Sequence, residues 1–282
     1  SRCCQHNHAQ GWPYFTEHLV LATPDNGVAT AIYAACKATV KVGDGKEITL
    51  HEETNYPFEE AIAFTVSTGE KVAFPFYLRI PSWTQKAEVR VNGKKVSAAP
   101  VAGKYLCINR EWANGDRVEL TLPMSLSMRT WQVNKNSVSV DYGPLTLSLK
   151  IAEKYVEKDS RETAIGDSKW QKGADSKKWP TTEIYPDSPW NYSLVLDKKE
   201  PLKNFKVIRK SWPTDNYPFT VASVPLEVKA IGRPVPEWKI DETGLCGVLP
   251  EEDAVKGDKE EITLIPMGAA RLRISAFPNT KE

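Results

Sequence analysis

Two thiols and two imidazoles crowd the first eight residues, Ser1-Arg2-Cys3-Cys4-Gln5-His6-Asn7-His8. A thiolate is a strong nucleophile and a soft metal ligand, and Zn²⁺ takes Cys and His in tetrahedral sites while lowering the thiol pKa. Cys3, Cys4, His6 and His8 therefore offer four donors. Three arrangements are open. One is a wholly local Cys₂His₂ site, although structural zinc patterns usually separate their cysteines by about two to four residues. The second is a pair of partly buried thiols opening a helix. The third is a split site, in which the cysteines complete a cluster whose other ligands lie elsewhere.

Other chemistry has less support. Glu52-Glu53, Glu59-Glu60, Glu251-Glu252 and Glu260-Glu261 are adjacent carboxylates. Neighbours on a strand point to opposite faces, so such pairs cannot flank one substrate and read as solvated edges. A Gly-rich phosphate loop, a serine nucleophile elbow and an HExxH sequence are all missing. Nine tryptophans are more than a domain of ordinary composition carries. Trp170, Trp179, Trp190 and Trp212 suit stacking on sugar rings, whereas Trp83, Trp112 and Trp131 lie beside strands and read as core or interface.

The chain that positions these groups has 282 residues, with 37 basic and 36 acidic side chains, and so carries no electrostatic footprint for nucleic acid or an anionic membrane. A neutral glycan or oligosaccharide is the better-matched partner. Neither a signal peptide nor an apolar run long enough to span a membrane is visible. Five irregularly spaced cysteines do not make a disulfide framework, and Cys36 and Cys107 in alternating runs read as buried small hydrophobes.

Residues 7 to 22 form the one helical stretch. Trp12, Phe15, Leu19 and Ala22 fall at helical spacing, Asn7 is placed to cap, and Pro24-Asp25-Asn26-Gly27 stops the run. Its apolar face needs a partner, either the first sandwich or a missing barrel. His18 reads as a structural hydrogen-bonding residue. From residue 28 the hydrophobic period is two, through Ile48-Leu50, Ile62-Phe64-Val66 and Val72-Phe74-Phe76-Leu78-Ile80, with hairpin turns at Gly43-Asp44-Gly45 and Asn92-Gly93. Short, closely spaced strands of this kind predict antiparallel sandwiches. Ser137 to Ile151 closes the series, interrupted at Tyr142-Gly143-Pro144, a bulge or edge position. Periodicity vanishes over residues 152 to 189, a surface excursion and the best boundary; strand signals then return.

The opening Cys3-Cys4-Gln5-His6-Asn7 and a series of later segments resemble the C-terminal portion of glycoside hydrolase family 127, the β-L-arabinofuranosidases, and its uncharacterised relatives. The segments are Glu53-Thr54-Asn55-Tyr56-Pro57, Tyr77-Leu78-Arg79-Ile80-Pro81-Ser82-Trp83, Val91-Asn92-Gly93-Lys94, Arg110-Glu111-Trp112-Ala113-Asn114-Gly115-Asp116, Tyr142-Gly143-Pro144-Leu145, Pro189-Trp190-Asn191-Tyr192 and Leu264-Ile265-Pro266-Met267-Gly268-Ala269-Ala270-Arg271-Leu272-Arg273-Ile274. The resemblance implies an (α/α)₆ catalytic barrel followed by β-sandwich domains, with zinc held by three cysteines and a glutamate. On that pattern Cys3 is the nucleophile and Cys4 a zinc ligand, both belonging to the metal cluster. The acid/base glutamate and the remaining ligands lie upstream of the pair in the family, and this sequence starts at the pair. Zinc is therefore expected only with those upstream ligands present, and Gln5-His6 replaces the prolines that many relatives have after the cysteines.

A mainly β fold follows, with residues 1–26 as the end of the catalytic α/α barrel, 27–152 as a first β-sandwich and 153–282 as a second, smaller one whose last strand, Ala270 to Phe277, is free to join either. The favoured function is the C-terminal part of a zinc-cysteine retaining glycoside hydrolase acting on L-arabinofuranosides or related plant-glycan sugars, inactive alone. The alternative is a non-catalytic carbohydrate-binding or dimerisation β-sandwich module. Expected partners are a plant-type glycan, the missing N-terminal barrel and a second copy in a homodimer. Periplasmic or secreted placement fits a glycan-degrading parent protein.

Overall fold

The computed structural model describes residues 7, 9–163, 175–251 and 257–282. The chain divides into two compact units, Ser1–Ser125 and Leu126–Glu282. The first carries helix α1 (Gly11–Glu17) and strands β1 (Val20–Ala22), β2 (Val28–Thr30), β3 (Cys36–Val42), β4 (Lys46–Thr54), β5 (Ala61–Thr68), β6 (Val72–Arg79), β7 (Glu88–Val91), β8 (Lys94–Lys95), β9 (Tyr105–Trp112) and β10 (Arg117–Thr121). The second carries β11 (Leu126–Trp131), β12 (Ser137–Tyr142), β13 (Leu145–Leu149), β14 (Glu153–Lys158), helix α2 (Ser160–Thr163), β15 (Thr181–Pro186), β16 (Tyr192–Leu196), β17 (Lys206–Arg209), β18 (Leu226–Pro234), β19 (Glu260–Pro266) and β20 (Asn279–Lys281).

In the first unit the period-two pattern becomes two sheets, ordered β1-β2-β6-β9 and β3-β4-β5-β10-β7-β8. Their neighbours are antiparallel except for the parallel pair β2 and β6. Alternation sends Ile48 and Leu50 of β4, Ile62, Phe64 and Val66 of β5, Phe74, Phe76 and Leu78 of β6, and Val118 and Leu120 of β10 into one core. At its centre Trp112 is fully buried. Its ring stacks on Phe74 at 5.6 Å, and its Nε1 donates to the Phe74 carbonyl at 3.0 Å. The Asn92-Gly93 turn joins β7 to β8 with φ of 50° and 76°, the positive pair that a two-residue hairpin of this hand requires.

The helix is shorter than the sequence pattern predicts. It begins after Gln10, which has no side-chain cap, and ends at His18, whose Nδ1 donates to the Tyr14 carbonyl at 2.6 Å. Asn7 is therefore not the cap. Leu19 turns into the interior, 5% exposed, and Val20–Ala22 pairs with Val28–Thr30 across the Pro24-Asp25-Asn26-Gly27 turn. That turn closes a hairpin, and strand pairing overrides the local helical spacing. None of the helix residues is buried, with Trp12 69% and Tyr14 65% exposed.

In the second unit one sheet runs β11-β12-β13-β19-β18-β16-β20, with β17 paired to β18. Val138 bridges Phe277, so the sheet curls back toward its own start and its inner face closes on one core containing Val140, Leu149, Leu194, Val228, Leu264 and Phe277. Residues 137–151, expected to close the first sandwich, hydrogen-bond within this second sheet: β12 pairs with β11 and β13, and β13 with β19. Tyr142 and Leu145 face each other across Gly143-Pro144, a tight hairpin turn with Gly143 at φ 54°. The supposed excursion after residue 152 begins and ends as a two-stranded arm of β14 and β15. Loss of hydrophobic alternation marked that solvated arm, not the division between units. Ala270 to Phe277 forms no continuous strand; the terminal strand is Asn279–Lys281, parallel to β16. Among the described residues no helix is long and apolar enough to cross a membrane.

Candidate functional site

Cys3, Cys4, His6, His8 and Trp170 lie outside the described residues. Among the described residues, no group of three or more His, Cys, Asp or Glu side chains is placed to hold a metal ion. The described sugar-stacking candidates Trp179, Trp190 and Trp212 have different surroundings. Trp179 is 71% exposed. Trp190 packs edge-to-face on Trp238 at 5.2 Å, and half-buried Trp212 donates from Nε1 to Asn216 Oδ1 at 2.7 Å. Among the tryptophans expected in the interior, Trp131 is 41% exposed, with the Arg129 guanidinium 5.1 Å over its ring.

The most unusual polar group among the described residues of the first unit is Glu52. Alternation along β4 puts it on the same face as Ile48 and Leu50, and it is 1% exposed. This corrects the reading of Glu52-Glu53 as a solvated pair: only Glu53 faces out. Across the strands, Glu52 sits opposite Cys36 and Phe64. The Cys36 thiol donates to Glu52 Oε2 at 3.8 Å, while Oε1 is buried without a hydrogen-bond partner among the described residues. Burial pushes the Glu52 carboxyl up to about 8, against the hydrogen bonds from the Ala34 backbone and the Cys36 thiol. Burial, reinforced by Glu52, pushes the Cys36 thiol up to about 11. Tyr33 completes the cluster, donating to the Arg79 carbonyl at 2.5 Å and packing on Tyr56 at 5.8 Å; burial raises both phenols. At neutral pH the Glu52 carboxyl and the Cys36 thiol are both protonated. The cluster thus presents neither a base nor a nucleophile, and a 1% exposed carboxyl has no access to a substrate.

Two open features occupy the outer sheet faces of the same unit. A hollow of about 540 Å³ is lined by Thr23, Pro24, Asp25, Ala29, Tyr77 and Tyr105. There the Tyr77 hydroxyl donates to Asp25 Oδ2 at 2.6 Å, which together with the Thr23 hydroxyl holds the Asp25 carboxyl below its usual range. Cys107 is exposed, opposite Tyr77 in the ladder, and is not the buried small hydrophobe that its alternating run suggests. On the other sheet, a trench of about 490 Å³ has Ala61 and Ala63 among its lining residues, with Glu53, Glu88, Arg90 and Arg117. Both of its arginines are ion-paired, Arg117 with Glu53 at 3.3 Å and Arg90 with Glu88 at 2.6 Å, as on an ordinary solvated face.

Sequence reasoning missed Glu52, although the signal was present: a carboxylate in register with two core residues on an alternating strand. No signal of that kind existed for Tyr77 and Asp25, which meet only when β6 is laid against β2 beside the first hairpin.

Residues 27–124 match the family model described as "Beta-L-arabinofuranosidase, GH127 middle domain". No curated protein sequence matches the chain. Among solved structures, the chain is similar to a GH127 β-L-arabinofuranosidase from Geobacillus stearothermophilus T6, with a TM-score of 0.65 and 22% identity over 99% of this chain and 37% of that one. It is also similar to a protein titled glycoside hydrolase, with a TM-score of 0.65 and 22% identity over 99% of this chain and 40% of that one. A GH127 β-arabinofuranosidase is similar with a TM-score of 0.58 and 23% identity, over 92% of this chain and 36% of that one. The chain thus spans about two-fifths of the length of the structures whose fold it shares.

Proposed function

We propose, from the premise that residues 27–124 carry the middle domain of a GH127 β-L-arabinofuranosidase-like glycoside hydrolase, that this chain supplies the cysteine pair and the β-rich C-terminal part of such an enzyme. The observation that carries the reading is order: the Cys3-Cys4 pair and α1 precede that domain, and the curled sheet of the second unit follows it. The substrate class is an L-arabinofuranoside or a related plant-glycan sugar. The donor chemistry suits zinc, because two thiols and two imidazoles lie within the first eight residues. Cys3 and Cys4 would hold the metal together with ligands from outside residues 1–8, and bound zinc would keep a coordinated thiol in its thiolate form. Cys3 then attacks the anomeric carbon and displaces the leaving oxygen, and water releases the sugar in a second step, so the configuration is retained. No residue of this chain is assigned as the proton donor. Glu52, the one described carboxyl with a strongly raised pKa, is too deeply buried for that role.

The test is hydrolysis of p-nitrophenyl β-L-arabinofuranoside by the protein that carries this chain, with Cys3→Ser and Cys4→Ser variants and zinc measured in each. Cys3→Ser should lower turnover by at least about a thousandfold with the fold intact, as expected for loss of a nucleophile. Cys4→Ser should lose zinc as well. Undiminished turnover in Cys3→Ser would sink the assignment.

A further inference from the structure

A groove of about 320 Å³ in the second unit brings together two segments for which neither the cysteine chemistry nor the family match gives a role. One is Pro189-Trp190-Asn191-Tyr192 and the other is Ala269-Ala270-Arg271-Leu272-Arg273-Ile274. Asn191 pins the first segment by donating from Nδ2 to the carbonyls of Val235 at 2.9 Å and Trp238 at 3.1 Å. This fixes the loop whose Trp238 backs the Trp190 ring. The Trp238 indole is itself tied down by its Nε1 bond to the Gly247 carbonyl at 2.9 Å. Trp190 therefore lines the groove as a held ring rather than a mobile surface side chain.

Arg271 and Arg273 supply the charge. Both are exposed, both line the groove, and no acidic side chain is among the lining residues. Arg273 donates from Nε to the Ala270 carbonyl at 2.8 Å, which orients its guanidinium and leaves the terminal nitrogens available. Arg271 reaches the Phe219 carbonyl only at 3.5 Å, and Glu153 is engaged by its backbone N–H at 3.1 Å. Neither guanidinium is ion-paired with a carboxylate among the described residues. Apolar Ile151, Ile184 and Ile274 are among the other lining residues. An apolar, ring-walled space with two unpaired planar cations calls for a ligand that presents both a ring face and a carboxylate, because guanidinium matches a carboxylate's two oxygens and an indole covers apolar C–H surface. The volume lies at the small end of ligand sites, suited to one or two rings.

We propose that this groove binds a uronic acid residue of a glycan, with Arg271 and Arg273 taking the carboxylate and Trp190 the sugar ring. The site does not draw on the cysteine pair, so it stands or falls separately from the catalytic reading. The experiment is tryptophan fluorescence and ¹H–¹⁵N titration of the full chain with D-galacturonic acid, D-galactose and inorganic phosphate. Galacturonate should bind saturably and about tenfold or more tighter than galactose, and added salt should weaken it. In an Arg271→Gln/Arg273→Gln double variant its affinity should fall by about tenfold or more. Both arginines are exposed, so the variant should keep its fold, which far-UV circular dichroism checks. The single variant Trp190→Phe should weaken galacturonate while leaving the response to salt unchanged. Equal binding of galactose, equally tight binding of phosphate, salt-independent binding or an unaffected arginine variant would each overturn the proposal.

Discussion

Replacing Glu52 by Gln should change how the stability of the first unit depends on pH. In the folded chain the carboxyl titrates near 8, against an ordinary value of 4.5. Between those values the unfolded chain has released the proton while the folded chain still holds it. Unfolding free energy therefore falls as pH rises: the contribution is fully present below about 4.5, declines through the window and is gone above about 8. From pH 6 to pH 8.5 the carboxyl crosses two of those units at 1.36 kcal/mol each, so about 3 kcal/mol of stability should disappear. Gln keeps the shape and stays neutral, so its curve should lack this decline. The groups around Glu52 do not confuse the comparison: Cys36 titrates near 11, and burial raises the Tyr33 and Tyr56 phenols. Urea unfolding followed by tryptophan fluorescence, at half-unit steps from pH 5.5 to 8.5, measures both curves. Parallel curves would refute the argument, since they would mean that Glu52 is ionised in the folded chain and has found a partner for Oε1.

Thiol chemistry should sort by the same physics. At pH 8, iodoacetamide should label exposed Cys107 and Cys246 within minutes and spare Cys36, whose thiol is half-buried and raised to about 11; peptide mapping reads the order. Trp112→Phe should cost about 2–4 kcal/mol in urea unfolding, because it leaves a void and takes the partner from the Phe74 carbonyl. Gly27→Ala should destabilise by about 1–3 kcal/mol in the same assay, since a Cβ there would lie 2.2 Å from the Pro75 carbonyl oxygen.

The sequence by itself determined the mainly β character, because side chains that alternate at period two can bury only one face of a strand. It determined the hairpins at Gly43-Asp44-Gly45 and Asn92-Gly93, because those backbones need positive φ, which glycine and asparagine tolerate. It also carried the likeness to β-L-arabinofuranosidases through short segments in order, which the match over residues 27–124 supports. Tertiary structure decided the rest. Val20–Ala22 has helical spacing and strand hydrogen bonds, because Val28–Thr30 lies within reach across a turn. Residues 137–151 sit in the second unit because Leu147–Leu149 take their ladder partners from Leu264–Pro266, and no local pattern records a pairing that distant. The Trp190, Arg271 and Arg273 groove has the same origin. Its residues are some eighty positions apart in the chain, and the curling of one sheet around a single core makes them neighbours.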